Sequence, residues 1–135
     1  MKTLYAVTVC LLMGCAAVVT RAPSGTLQML SGKQLSVMTP VQVLQILKEG
    51  CCRGILVEPT QVSFWGNQNI AELQAYVHDP TPAAPVVSSF SSIPCNQPKF
   101  VSTVGREAKH LIKAIKEHRY PLANCSTYDL HLDGE

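Results

Sequence analysis

The stretch TPVQVLQILKEG, residues 39–50, decides the fold, because it holds the signals that begin, sustain and end a helix. Thr39 is placed to cap the first turn, Pro40 suits the first helical position, and Gln42 completes a capping box. An apolar face at helical spacing and a glycine placed for a left-handed end complete the pattern: Val41, Leu44, Ile46, Leu47 and Gly50. The sequence therefore predicts a helix over residues 40–49.

Two β-prone runs follow this helix. ILV at residues 55–57 and VSFW at residues 62–65 flank a turn-forming EPTQ, so the sequence predicts a β-hairpin. Asn69 is placed to cap a short helix that runs to about Val77. Residues 78–85 contain three prolines and predict a stiff, exposed connector.

The rest of the chain predicts two strands, a long helix and a last strand. The β-prone runs occupy residues 86–90 and 100–104. Apolar residues at helical spacing begin after Gly105 and stop before Pro121. Alternating apolar residues over 128–132 predict the last strand.

This order of elements predicts an α+β fold. The expected architecture is a small single domain of short antiparallel strands and two to three helices, stapled by two disulfides. We assign the domain to residues 39–135. Residues 22–38, which are punctuated by Ser and Gly, are expected to form a flexible N-terminal segment.

Residues 1–21 are typical of a secretory signal peptide. Lys2 precedes an uncharged apolar run over residues 4–19, and Arg21 ends it. A membrane span needs roughly twenty apolar residues, so we expect cleavage and secretion rather than a stable span. An alternative stays open, because LMGC at residues 12–15 resembles a bacterial lipoprotein box in which Cys15 would be lipidated.

Composition sets limits on function. Loss of Lys2 and Arg21 with the signal would leave nine basic residues against nine acidic ones, so bulk charge gives no support for nucleic-acid binding. Apolar residues make up 47% of the chain and charged residues 15%, which excludes a disordered, solvating tail.

Four cysteines remain after the signal: Cys51, Cys52, Cys95 and Cys125. An even number in an oxidising compartment predicts disulfides. A bond between neighbours would be strained, so we expect Cys51 and Cys52 each to pair with one of Cys95 and Cys125, and both connectivities stay open. Adjacent thiols without a C-x-x-C spacing do not favour a metal site.

The sequence contains no nucleophile elbow, zinc-protease motif or phosphate-binding glycine loop, so no enzyme and no cofactor is predicted. His110 and His118 lie about 12 Å apart along one predicted helix, which is too far to share a metal. We expect all four histidines to be solvated: His78, His110, His118 and His131.

The long helix carries the candidate partner-binding residues. Spacings of three and four place four bases along one side: Arg106, Lys109, Lys113 and Lys116. Such a stripe suits a sulfated polysaccharide, an anionic lipid or an acidic receptor surface. We expect Glu107 and Glu117 to offset part of its charge, and an ordinary solvated helix face is the alternative.

Asn124 begins NCS, which matches the acceptor pattern for N-glycosylation in a secreted chain.

The adjacent cysteine pair and the two later cysteines occur in a small chain with a predicted signal, together with VVSSF at residues 86–90, PCNQP at 94–98 and FVST with GRE over 100–107. In these features the chain resembles CC chemokines, whose middle strands are similar to the quoted stretches. The family carries its fourth cysteine near the position of Lys109, where this chain has none. It also has a shorter interval than the one between Cys52 and Cys95 in this chain. The resemblance implies receptor activation and polysaccharide binding by the basic helix.

Together these features predict a secreted, non-enzymatic binding protein: a cytokine-like extracellular ligand that contacts a protein receptor or an extracellular polyanion. One alternative is a membrane-anchored lipoprotein, lipidated at Cys15, with a structural or interaction role. A secreted enzyme becomes the better interpretation only if the fold brings a histidine beside a carboxylate in a closed pocket.

Overall fold

The computed structural model describes residues 28–51, 53–91 and 102–128. The predicted signal peptide with Cys15, the cysteines Cys52 and Cys95, and the end of the chain from residue 129 lie outside these residues. The described part mixes helix and strand, as predicted. Its elements in chain order are β1 (Met29–Leu30), α1 (Gly32–Leu35), α2 (Pro40–Glu49), β2 (Ile55–Val57), β3 (Thr60–Gln61), α3 (Asn67–Gln74), β4 (Pro82–Ala83), β5 (Val86–Ser88), β6 (Ser102–Thr103), α4 (Val104–Glu117), β7 (Arg119–Tyr120) and a final 3₁₀ turn (Ser126–Tyr128).

The main sheet is parallel, with strand order β1-β2-β5. The predicted hairpin over residues 55–65 is therefore wrong. β2 lies between two parallel partners, and the predicted second run, residues 62–65, forms no strand. β3 falls instead within the predicted turn and pairs antiparallel with β7. The sequence of β2 explains the difference, because an unbroken apolar ILV run is typical of a parallel strand covered on both faces. Antiparallel pairing, the predicted kind, occurs in β3–β7 and β4–β6.

Helix α2 forms over the predicted residues. Thr39 Oγ1 accepts a hydrogen bond from the Gln42 backbone N–H at 3.3 Å, and Gln42 Oε1 accepts one from the Thr39 N–H at 2.8 Å. Both halves of the predicted capping box are present. The end of the helix differs, since Gly50 has φ −82° and is not left-handed.

The second part of the expected flexible segment belongs to the domain. Residues 28–38 contribute β1 to the parallel sheet and α1, whose first turn is capped by Ser31. Leu30 and Leu35 are buried in the core. The assignment of these residues to a loose segment is wrong, because strands and helices this short carry too few residues to show a hydrophobic period.

Helix α3 is capped at Gly66, three residues before the predicted cap, and it ends at Gln74 rather than near Val77. Asn69 lies inside its first turn, where Oδ1 accepts a hydrogen bond from the Gly66 N–H at 3.0 Å. The connector after it is not simply exposed. Ala83 and Ala84 are fully buried, because β4 pairs with β6 and brings this stretch against the core.

Helix α4 confirms the predicted long helix and closes the core. It ends at His118, which adopts the left-handed conformation with φ 57° ahead of Pro121. Of the predicted strand over 100–104, residues 102 and 103 form β6 and Val104 begins α4; Tyr128, expected in a strand, ends the 3₁₀ turn. The core unites the sheet with α2, α3 and α4, and its largest fully buried side chains include Leu47, Val57, Leu73, Leu111 and Tyr120.

Candidate functional site

The outward side of α4 is basic from residue 106 to residue 116. Apart from Glu117 at its end, the only residues of this helix that are not buried are Arg106, Lys109, Lys113 and Lys116. These four residues, which we call the basic face, are those that the sequence singled out. The structure therefore brings all four candidate binding residues to one side of one helix.

Arg106 differs from the three lysines of the basic face. Its guanidinium donates hydrogen bonds to the backbone carbonyls of Ser126 at 3.5 Å and Thr127 at 3.3 Å. Arg106 thus holds the 3₁₀ turn against α4. The lysines form the part of the basic face that is directed to solvent, with Lys116 exposed and Lys109 and Lys113 half-buried.

The expected acidic offset on this helix is only half correct. Glu107 is fully buried and does not lie on the basic face. Glu117 is exposed, and its Oε2 pairs with the Arg119 guanidinium at 3.4 Å. The basic face consequently has less negative charge beside it than the sequence suggested.

Glu107 is the centre of a buried polar cluster on the opposite side of α4. Its Oε1 accepts hydrogen bonds from Ser102 Oγ at 2.5 Å and Ser126 Oγ at 2.7 Å. Ser126 Oγ in turn accepts one from the Val86 backbone N–H at 3.0 Å. One carboxyl oxygen therefore joins α4 to β6, to the 3₁₀ turn and, through Ser126, to β5.

Burial raises the pKa of Glu107 to about 7, against the lowering effect of the two hydroxyls and of Arg106. Its second oxygen, Oε2, has no hydrogen-bond partner among the described residues, and neither has the Tyr120 hydroxyl. Burial and the negative charge of Glu107 raise the pKa of Tyr120 well above its ordinary value. Burial therefore shifts Glu107 towards its protonated form relative to an exposed carboxyl group.

His110 belongs to the same inward side, so the expectation that it is solvated is wrong. It is fully buried, its Nε2 accepts a hydrogen bond from the Leu122 N–H at 3.5 Å, and its ring lies 5.7 Å from that of Tyr120. His78 and His118 are exposed, as predicted. His131 lies outside the described residues.

The inward cluster is enclosed by protein. A histidine and a carboxyl do occur on one side of α4, three residues apart. However, Glu107, His110 and Tyr120 are all fully buried, so no dissolved substrate reaches them in this conformation. We interpret the cluster as structural and call it the clasp; its residues are Ser102, Glu107, His110, Tyr120 and Ser126. The basic face is the candidate functional site.

The clasp was not predicted from the sequence, although the helical spacing of Glu107 indicates that this residue faces inward. Glu107 shares its azimuth with Leu111, Ala114 and Ile115, at spacings of four, seven and eight, and these spacings indicate an inward position. Nothing local marked Ser102, Ser126 or Tyr120. The hydrogen bonds of the two serines to Glu107 and the packing of Tyr120 beside His110 depend on the tertiary fold.

The predicted disulfides are not shown. Cys51 is half-buried and Cys125 is buried, and the structure forms no bond between these two. Cys125 Sγ lies 3.0 Å from Thr127 Oγ1. Because Cys52 and Cys95 lie outside the described residues, the pairing stays a prediction.

Comparison of the chain with models of protein families, with curated proteins and with solved structures found no match. The resemblance to CC chemokines therefore stays a hypothesis. Across residues 28–51, 53–91 and 102–128, no helix has the length and apolar character needed to cross a bilayer. The same residues include no group of three or more His, Cys, Asp or Glu side chains placed to hold a metal ion.

Proposed function

We propose that this protein is a secreted, non-enzymatic binding protein, a cytokine-like extracellular ligand that contacts an anionic partner through the basic face of α4. The observation that carries the proposal is the sorting of charge on this helix. From residue 104 to residue 116 every side chain that is not buried is basic, and the acid within that stretch, Glu107, is buried.

The geometry of the basic face favours an extended anionic partner. Lys109, Lys113 and Lys116 follow one another at spacings of four and three, so they form a row about 10 Å long. A row of ammonium groups matches the repeated charges of a sulfated polysaccharide or the acidic surface of a receptor. The face is also rigid, because the inward residues of α4 are packed in the core, and a preorganised face loses less entropy on binding.

The proposed partner binds through screened contacts. The mature chain would be nearly neutral overall, so attraction comes from the local row and not from net charge. At physiological ionic strength such exposed charges interact over about 8 Å, and binding should weaken as salt rises.

Extracellular location is the second part of the proposal. It is supported by the signal-like residues 1–21, by the acceptor pattern at Asn124 and by the even set of later cysteines. We propose that Cys51 and Cys52 each bond to one of Cys95 and Cys125. The intact mass of secreted material before and after reduction reports cleavage, lipid, glycan and disulfide bonds together.

Heparin chromatography tests the binding face. We expect the chain to be retained at low salt, and the combined change of Lys109, Lys113 and Lys116 to Gln to remove most of the retention. The matched control changes Lys33, Lys48 and Arg53 to Gln, because these three bases are exposed elsewhere on the described surface and their loss alters net charge equally.

The control variant should elute close to the unchanged chain, with circular dichroism verifying that both variants fold. An equal loss of retention in the two variants would show that net charge alone matters. Elution of the unchanged chain in the void volume at low salt would leave the basic face as a solvated cover over the core.

A further inference from the structure

We propose that folding closes the glycosylation site of this chain, so that Asn124 accepts its glycan only before residues 124–126 pack against β5. The inference rests on the proposed passage through the secretory pathway. It adds an order of events that the acceptor pattern alone does not contain.

The side chains of the acceptor pattern are divided between solvent and core. Asn124 is exposed, whereas Cys125 and Ser126 are both fully buried. The Ser126 hydroxyl donates to Glu107 Oε1 at 2.7 Å and accepts from the Val86 N–H at 3.0 Å. The hydroxyl that completes the pattern is thus inside the clasp, while the amide to be modified is outside.

The backbone of residues 124–126 is also held by hydrogen bonds to the rest of the fold. Cys125 forms an antiparallel bridge with Val87, and the Asn124 carbonyl accepts a hydrogen bond from the Ser88 N–H at 3.0 Å. Arg106 adds hydrogen bonds to the carbonyls of Ser126 and Thr127. An enzyme that reads Asn124 and Ser126 together must first remove this segment from β5 and from α4.

The chemistry of transfer needs both groups to be accessible. The Asn124 amide nitrogen attacks the anomeric carbon of an oligosaccharide linked to a lipid diphosphate. A C–N bond forms, the C–O bond to the diphosphate breaks, the amide loses a proton, and the lipid diphosphate leaves. The Ser hydroxyl of the pattern is part of what the transferase recognises.

The finished glycan is compatible with the fold, because Asn124 is exposed. Modification of the unfolded chain should therefore survive folding, whereas modification of the folded chain should be blocked. Occupancy then depends on which process is faster, docking of residues 124–126 or glycan transfer.

The test uses purified full chain, a purified oligosaccharyltransferase and a lipid-diphosphate oligosaccharide. The folded chain is compared with a variant carrying Leu47→Asp and Leu111→Asp, which places two charges at fully buried positions. Circular dichroism verifies that this variant is unfolded. We expect transfer to the folded chain to be at least tenfold slower, measured as the glycan mass added at Asn124.

Ser126→Ala in the unfolded variant is the control, since it removes the acceptor pattern and should abolish transfer. Equal transfer rates for the folded and unfolded chains would overturn the proposal, and so would a lack of transfer to both. The reaction is carried out without cells, so its outcome is independent of whether residues 1–21 direct secretion. N-terminal sequencing of secreted material tests that point separately.

Discussion

Helix α4 presents basic side chains on its outward side and buries a carboxyl group on its inward side. Outward, the lysines of the basic face are exposed or half-buried and line the solvent side of the helix. Inward, Glu107 is surrounded by protein, and its one satisfied oxygen depends on hydroxyls from two other elements. One helix can therefore leave its basic groups on the solvent side and use an acidic group on the other side to join elements of the fold.

The largest effect on stability is expected when the charge of one residue is reversed on the inward side of α4, compared with the same change on the outward side. Glu107→Lys places an ammonium group where two hydroxyls and Arg106 are arranged for a carboxyl, and we expect a loss of at least about 4 kcal/mol in the free energy of unfolding. Lys116→Glu, on the exposed side, should change it by about 0.5 kcal/mol or less. Urea unfolding measures both. Similar values for the two variants would contradict the division into sides.

The stability that Glu107 contributes on the inward side should depend on pH. The pKa of Glu107 rises from 4.5 to about 7 on folding, so the folded chain holds a proton that the unfolded chain has already released. The corresponding stability is complete below about pH 4.5 and is lost as pH rises to 7, by about 3 kcal/mol.

The measurement is the difference in unfolding free energy between the unchanged chain and Glu107→Gln, from pH 4 to pH 8. That difference should change between about pH 4.5 and about pH 7 and be constant above about pH 7. A flat difference throughout would show that Glu107 titrates normally.

A smaller effect is expected from the clasp's hydroxyl. Ser126→Ala leaves the Val86 N–H without its acceptor and removes one donor to Glu107, so we expect a loss of about 2 kcal/mol. Ser63→Ala is the matched control, because Ser63 is exposed. It should change stability by about 0.5 kcal/mol or less in the same thermal and urea unfolding experiments.

The smallest effect on stability belongs to the proposed binding residues. Each of Lys109→Gln, Lys113→Gln and Lys116→Gln should change the free energy of unfolding by about 0.5 kcal/mol or less, although together they should reduce heparin retention. A large loss of stability would assign these side chains to the architecture and contradict the comparison.

The sequence predicted the parts of the molecule that are specified locally. Helix α2 has its cap, its first proline and its apolar face within ten consecutive residues, and α4 has an apolar period long enough to be unambiguous. The basic face followed directly from spacing on that helix.

The parallel sheet and the clasp were not predicted, because each joins residues that are distant in sequence. Strand β1 has two residues, too few to show a period, and its parallel pairing with β2 crosses two helices. The clasp joins Ser126 to Val86 over forty residues of chain. Spacing could have placed Glu107 and His110 inward, but it could not show that the hydroxyls of Ser102 and Ser126 would bond to Glu107.

Gly105, in the first turn of α4, has a consequence for sequence change. A Cβ atom at this position would lie 2.8 Å from the Val77 carbonyl oxygen and 3.0 Å from that of Asp79, both rigid backbone atoms. Its own N–H donates to the Asp79 carbonyl at 2.9 Å, so the two segments cannot separate without losing that bond. In a library that places all twenty amino acids at position 105, only glycine should pass a folding selection, whereas position 109, four residues along the same helix, should accept nearly every residue except proline.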